Sequence, residues 1–297
     1  MTAPVRLDDT PLFDEVRALK REWTGRAVGL EPAEVARIKA ALRAGAAADL
    51  VEFGPAPRDL PVPVVTPPAG RLTVEGLQTR LGVVADGKFG PASRRALAAV
   101  LTNTNAPPLT PGDMGALADR WRVAPGIIRA IRTVEAPRGA FDATGKPTHL
   151  YERHVANRNT DPPGRFARSH PDLFNASGYG RGGYGAYSAQ FDKLADACFL
   201  DPEAAFEGCS WGAFQVLGEN AVALGYASAF DFALELAKGE AQHLESFARY
   251  VEFNGLVDEL RQVVPGNANS AIPFVSRYNG PGFRQFDYHT KLARAAL

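Results

Sequence analysis

Glu135 is the side chain whose setting most invites chemistry. It closes the run P-G-I-I-R-A-I-R-T-V-E, in which Ile127, Ile128, Ile131 and Val134 recur at helical spacing and form one apolar stripe. Pro125 is suited to open that helix and A-P-R-G, Ala136 to Gly139, to stop it. Glu135 therefore falls in the last turn, on the face of Ile128. A carboxylate there meets an apolar wall and the negative end of the helix dipole, and both disfavour its ionised form. An acid raised to about 6 to 7 can protonate a poor leaving group, such as a glycosidic oxygen, near neutral pH. The plainer alternative is an exposed glutamate paired with Arg132 or Arg138.

Two further segments offer polar groups of the kind that hold a sugar. S-W-G-A-F-Q-V, Ser210 to Val216, supplies Ser210 and Gly212 for close backbone approach, while Phe214 and Val216 anchor the segment in a core. Gln215 can then direct an amide at a hydroxyl or N-acetyl group. Y-N-G-P, Tyr278 to Pro281, reads as a turn presenting a phenol and an amide, and Tyr rings combine an apolar face with a polar tip. Simple packing of Gln215 and Tyr278 is the alternative at each. A second carboxylate, Glu152 in L-Y-E-R-H, could position water or stabilise positive charge on a sugar ring, or else merely pair with Arg153 or Arg181. Asp142 and Glu207 are weaker rivals for that role. Inversion or retention would follow from the separation of the carboxyl groups, which spacing in sequence does not give.

Some patterns point elsewhere and fail on context. Gly178 to Gly183 spells G-Y-G-R-G-G, yet neither a preceding strand nor a following helix supports a nucleotide loop. It reads better as a Gly-Tyr loop in which Tyr179, Tyr184 and Tyr187 line sugar subsites and Gln190 bonds the glycan. His149, Glu152 and His154 do not have the H-E-x-x-H spacing of a zinc helix, so neither metal nor other cofactor is expected. Cys198 and Cys209 have no C-x-x-C spacing and read as two buried thiols, with a disulfide as the alternative.

The chain that must position these groups has 297 residues, enough for one large domain and a smaller module. Lys plus Arg and Asp plus Glu balance at 33 each, so no global field attracts nucleic acid or an anionic membrane. Met1 to Asp14 lacks the apolar stretch of an export signal, and nowhere do about 18 uncharged apolar residues run together as a membrane span. Residues 1–53 predict two short amphipathic helices, Leu12 to Trp23 and Glu31 to Leu42. Residues 54–70 are too proline-rich for either helix or inner strand and read as a stiff linker.

Residues 71–104 predict a small helical module. Leu77 and Leu81 share one helical face, Asp86-Gly87 makes a turn, and Gly90-Pro91 opens a second helix carrying Leu97, Val100 and Leu101. Its five cations, Arg71, Arg80, Lys88, Arg94 and Arg95, face two acids, Glu75 and Asp86, but no pattern of base-reading side chains accompanies them. Residues 105–297 are mostly helical in pattern, with helices over Asp113 to Trp121, Pro125 to Glu135, Asp201 to Phe206, Ala229 to Leu236, Glu240 to Glu252 and Phe286 to Leu297, and few strands.

Taken together, these motifs carry two resemblances. L-Q-T-R-L followed by D-G-K-F-G-P-A-S-R-R-A-L resembles a peptidoglycan-binding module, with Ser93 where that signature has Thr. Glu135 followed by S-W-G-A-F-Q-V and Y-N-G-P resembles the goose-type lysozyme and lytic transglycosylase superfamily, although Ala136 stands where the superfamily usually has Ser. The longer segments V-E-A-P-R-G-A-F-D-A-T-G-K-P, L-Y-E-R-H, G-R-F-A-R-S-H-P-D-L and G-G-Y-G-A-Y-S-A-Q-F resemble the N-acetylmuramidase domain of phage endolysins, over roughly Leu109 to Leu297. The resemblance implies a mainly α protein: a lysozyme-like catalytic domain preceded by a small helical wall-binding module. It implies an enzyme that cuts the bond between N-acetylmuramic acid and N-acetylglucosamine in peptidoglycan glycan strands. Glu135 would be the general acid and Glu152 the second carboxyl. Gln190, Tyr184, Tyr187, Ser210, Gln215, Tyr278 and Asn279 would bind substrate. A monomer is expected, made in the host cytoplasm and released to the wall through a separate pore. A lytic transglycosylase acting on the same bond and a non-catalytic wall-binding phage protein are the alternatives.

Overall fold

The computed structural model describes residues 70–135, 139–179, 183–279, 281–284 and 287–296, with the side chains of residues 135, 281 and 282 left aside. The helices expected before residue 54 and nearly all of the proline-rich stretch lie outside the described residues, as do Arg138 and Arg181. The described chain forms two compact units, one holding Pro111–Val134 and Ala248–Leu297, the other Pro68–Thr110 and Glu135–Phe247.

In the second unit, α1 (Val74–Arg80) and α2 (Pro91–Leu101) form a hairpin closed over Leu77, Phe89, Leu97 and Leu101, all buried. Val100 turns outward instead, because Leu97 and Leu101 already fill the i, i+4 positions of the inner face. Gln78 is the polar centre of this hairpin. Its Nε2 donates to Asp86 Oδ1 at 2.8 Å, to Lys88 O at 3.1 Å and to Ser93 Oγ at 3.2 Å, while its Oε1 accepts from Gly87 N at 2.9 Å. A hydroxyl is all that position 93 contributes to this network, so Ser serves as Thr would. Three of the five cations turn toward the rest of the unit: Arg71 pairs with Asp201 at 2.6 Å, Arg80 with Asp231, and Arg94 with Asp196. The local excess of positive charge is thus matched within the protein rather than displayed to a polyanion.

The unit then runs through β1 (His149–Tyr151), α5 (Arg153–Asn159), α6 (Gln190–Cys198), α7 (Pro202–Glu207), β2 (Cys209–Trp211), β3 (Val216–Leu217) and α8 (Ala229–Leu236), and into α9 (Glu240–Phe253). The strands form one antiparallel sheet in the order β1-β2-β3, with Leu150 opposite Ser210 and Trp211 opposite both His149 and Val216. Tyr151, Phe174, Leu194, Phe206, Trp211, Phe230 and Phe232 fill the core. Cys198 and Cys209 lie in it as free thiols. The segment Ser210 to Val216 carries no strand pattern in the sequence. It is a hairpin, whose strands of three and two residues are too short to show an alternating pattern.

The first unit contains α3 (Pro111–Trp121), most of α4 (Pro125–Glu135), α10 (Val257–Arg261), α11 (Ala268–Tyr278) and α12 (Tyr288–Ala295). Ile127, Ile128 and Ile131 are buried as their spacing requires, and α4 ends at Glu135. Trp121 is buried too, its indole N–H donating to Glu252 Oε1 at 2.7 Å. Among the described residues no helix is long and apolar enough to cross a membrane.

Candidate active site

The sheet register builds a polar corner around Glu152. Side chains two residues apart on a strand share a face, so Glu152, just past β1, lies on the face of Leu150 and diagonal to Ser210. Glu152 N donates to Gly208 O at 2.8 Å, extending the ladder by one rung. Position 208 has no room for a side chain, since a Cβ there would stand 2.5 Å from Ala156 Cβ. The start of α5 is thereby pressed against the strand, and the carboxyl is held where Ser210 Oγ donates to its Oε1. Tyr184 Oη donates to Oε2 at 3.5 Å, and His154 Nε2 stands 3.8 Å from the same oxygen.

Burial is the main reason that the Glu152 carboxyl sits above the usual carboxylate pKa. The Ser210 hydrogen bond opposes the rise, the negative charge of Glu219 adds to it, and Arg158 and Tyr184 work against it. Arg158 and Asn159 in turn hold Glu219, with Asn159 Nδ2 donating to Glu219 Oε2 at 3.0 Å. His154 is kept below its ordinary pKa by burial and by the Arg158 and Arg153 charges, so it faces Glu152 as a neutral ring at pH 7. The two rivals differ. At Asp142, burial is outweighed by hydrogen bonds from Thr144 and Lys146, which hold it low in a tight turn. Glu207 is buried at the end of α7.

The Gly-Tyr loop is positioned by buried cationic and amide groups. Arg153 donates from Nε to Ser177 O at 2.7 Å, from Nη1 to Pro171 O at 3.0 Å and from Nη2 to Tyr179 O. The fork of donors fits carbonyls that a lysine could not reach together. Gln190 is 2% exposed, and its amide is committed to the protein: Oε1 accepts from Tyr151 N at 2.8 Å, and Nε2 donates to Tyr184 O at 2.7 Å and Ala186 O at 2.9 Å. Its observed place is as a brace between the strand and the loop. Tyr187 is half-buried where it opens a short 3-10 turn.

The hairpin turn is braced by His243, a residue that motif reading missed. Gly212 has φ +71°, and a Cβ on it would lie 2.3 Å from His243 Nδ1, so only glycine fits. Ala213 N donates to His243 Nδ1 at 3.0 Å, and the ring's Nε2 stands 2.9 Å from Leu236 O, which fixes the tautomer with its proton on Nε2. Gln215, with φ +50°, is a non-glycine residue in the left-handed region, a placement that costs about 1 to 3 kcal/mol and persists only where surroundings impose it. Its Nε2 donates to Gly212 O at 2.8 Å, closing the turn.

Desolvation pushes His243 down to about 4 from 6.5. The unfolded chain therefore binds the extra proton first, and the neutral ring's contribution is intact above 6.5 and lost as pH falls toward 4. That span corresponds to about 3 kcal/mol. In His243→Asn, whose amide oxygen can replace Nδ1 as acceptor, the urea midpoint should fall less between pH 6.5 and 4 than in the parent. Equal slopes would remove His243 as the titrating brace.

Tyr278 and Asn279 belong to the other unit. Tyr278 is the last residue of α11, stacked on Phe274 at 5.3 Å and edge-on to Tyr250 at 5.6 Å, and Asn279 caps the helix with its N–H on Val275 O at 2.9 Å. Tyr278 and Asn279, expected in a turn, thus end a helix. Glu135 ends α4, and its side chain lies outside the described residues. The groups brought together in the second unit are Glu152, Ser210, Tyr184 and His154. His149 faces away from them, its ring 4.8 Å from that of Trp211 on the opposite face of the sheet. Among the described residues no cluster of His, Cys, Asp and Glu could hold a metal ion.

A family model described as N-acetylmuramidase matches residues 124–296, from the residue before α4 to the residue after α12. The crystal structure of a Burkholderia AP3 phage endolysin is similar to the chain at 30% identity and a TM-score of 0.58, covering 76% of this chain and 97% of that one. No curated protein sequence matches.

Proposed function

The chain belongs to the N-acetylmuramidase family, and from that membership we propose that it acts as an endolysin, hydrolysing the β-1,4 bond between N-acetylmuramic acid and N-acetylglucosamine in peptidoglycan. The observation that carries the reading at residue level is the Glu152 corner, a buried carboxyl above its usual pKa that takes hydrogen bonds from Ser210 and Tyr184. Such a group can take up a proton from an attacking water near neutral pH, and in its ionised form it can balance positive charge on a sugar ring.

Glu135 is assigned the general acid, on its place at the end of an apolar helix and on the family's motif order. Protonation of the leaving oxygen by Glu135 breaks the C1–O bond. Glu152 balances charge on the ring or orients the water, whose oxygen bonds to C1 while its proton passes to Glu152 or back to the Glu135 carboxylate. Ser210 and Tyr184 hold Glu152 in place. Gln215, Tyr187, Tyr278 and Asn279 are assigned to substrate contact. Residues 71–104 are assigned to wall binding, and residues 105–297 to the catalytic domain. Synthesis in the host cytoplasm, passage through a separate pore and action as a monomer complete the proposal.

Digestion of purified sacculi by the purified protein tests it. Release of soluble muropeptides is expected. Sacculi left intact would return the chain to the role of a wall-binding phage protein.

A further inference from the structure

Tyr179 leaves 75% of its surface open, yet the backbone beneath it is fixed. Arg153 donates to the carbonyls of both Ser177 and Tyr179. Tyr179 N donates to Ser177 Oγ at 3.2 Å, and Ser177 N to Asn175 Oδ1 at 2.9 Å. The intervening Gly178 is pressed onto the Glu152 corner: a Cβ there would stand 2.9 Å from both His154 Nδ1 and Tyr184 Oη. The Tyr179 ring lies edge-on to Tyr184, with centroids 5.5 Å apart and planes at 84°. Tyr184 reaches Glu152 through its hydroxyl, so ring, ring and carboxyl form one connected series.

An aromatic ring with an open surface, carried on a backbone that a buried guanidinium fixes and set against an edge-on neighbour, loses less conformational freedom when a ligand covers it than one on a loose loop would. Pyranose rings present apolar C–H faces that stack on such surfaces. We infer that Tyr179 is a glycan-stacking residue, its ring forming the platform of a sugar subsite next to Glu152 for a β-1,4-linked N-acetylhexosamine chain. Arg153 is the positioning residue for that platform. The inference rests on the muramidase reading of the site and adds a substrate contact to it.

Calorimetric binding of a β-1,4-linked N-acetylglucosamine hexasaccharide tests it, in a Glu135→Gln background so that no turnover intervenes. Tyr179→Ala should weaken binding about tenfold, while Tyr179→Phe and Tyr179→Trp stay within about threefold of the parent. In the active enzyme on solubilised glycan strands, Tyr179→Ala should raise KM by a similar factor and leave kcat within about threefold. The exposed position makes an unchanged melting temperature the expected check on folding. Binding by Tyr179→Ala equal to the parent's, or a loss in Tyr179→Phe as large as in Tyr179→Ala, would overturn the subsite while leaving the muramidase reading intact. A parent that neither cuts sacculi nor binds the hexasaccharide would overturn both.

Discussion

Glu135→Gln should lose about 10² to 10⁴-fold in the rate of sacculus solubilisation while folding as the parent does. Glutamine matches the carboxyl in size and cannot donate a proton to the leaving oxygen, so the loss falls on bond cleavage. Binding should survive, which separates this variant from a misfolded one. The reason for choosing Glu135 is its place on α4. Ile127, Ile128 and Ile131 bury one face of that helix, and the chain leaves the helix at the glutamate. Retention of parental lysis by Glu135→Gln would remove the residue from the mechanism.

Glu152→Gln should give two results of opposite sign. Lysis should fall about 100-fold, because an electrostatic partner for the positive sugar ring is gone. Stability at neutral pH should rise. The folded-state pKa of Glu152 lies above its ordinary 4.5, chiefly through burial, so the folded protein favours the protonated carboxyl. The stabilisation that the protonated form supplies is present below 4.5 and disappears as pH climbs through the raised value. Glutamine keeps the neutral form at every pH. The melting temperature of Glu152→Gln should therefore exceed the parent's at pH 7 and converge with it below pH 4.5. A variant that is less stable at neutral pH, or a gap that does not close in acid, would show that the carboxylate is a structural ion-pair partner.

How far the sequence revealed this arrangement depended on the kind of signal each element carries. The apolar stripe of α4, Ile127 to Val134, repeats over about two turns, so the helix and its terminal glutamate were legible. So were α8 and α9, expected over Ala229 to Leu236 and Glu240 to Glu252 and observed over Ala229–Leu236 and Glu240–Phe253. Helix α11 was hidden because Pro273 interrupts it, and proline ordinarily argues against a helix interior. The sheet was hidden by strands of two and three residues, with His149 and Tyr151 buried on one face and Ser210 on the other.

The candidate site was legible by residue type and less so by role. Ser210 looked like a point of backbone approach, yet its hydroxyl holds the Glu152 carboxyl. Gln190 looked like a sugar ligand, and both ends of its amide bond backbone groups within the fold. Arg153 resembled an ion-pair partner for Glu152, but three of its nitrogens donate to loop carbonyls. His243 stands 30 residues from Ala213, and no local pattern announces that it braces the turn. The one sequence sign pointing to that brace is Gly212, where no other residue fits.

Digestion of purified sacculi in ¹⁸O-labelled water, followed by mass spectrometry of the soluble muropeptides, tests the central claim most directly. The account predicts one ¹⁸O at each newly formed reducing end, carried on C1 of N-acetylmuramic acid. Products ending in an anhydro sugar without added water would make the enzyme a lytic transglycosylase, and label on N-acetylglucosamine ends would contradict the assigned bond.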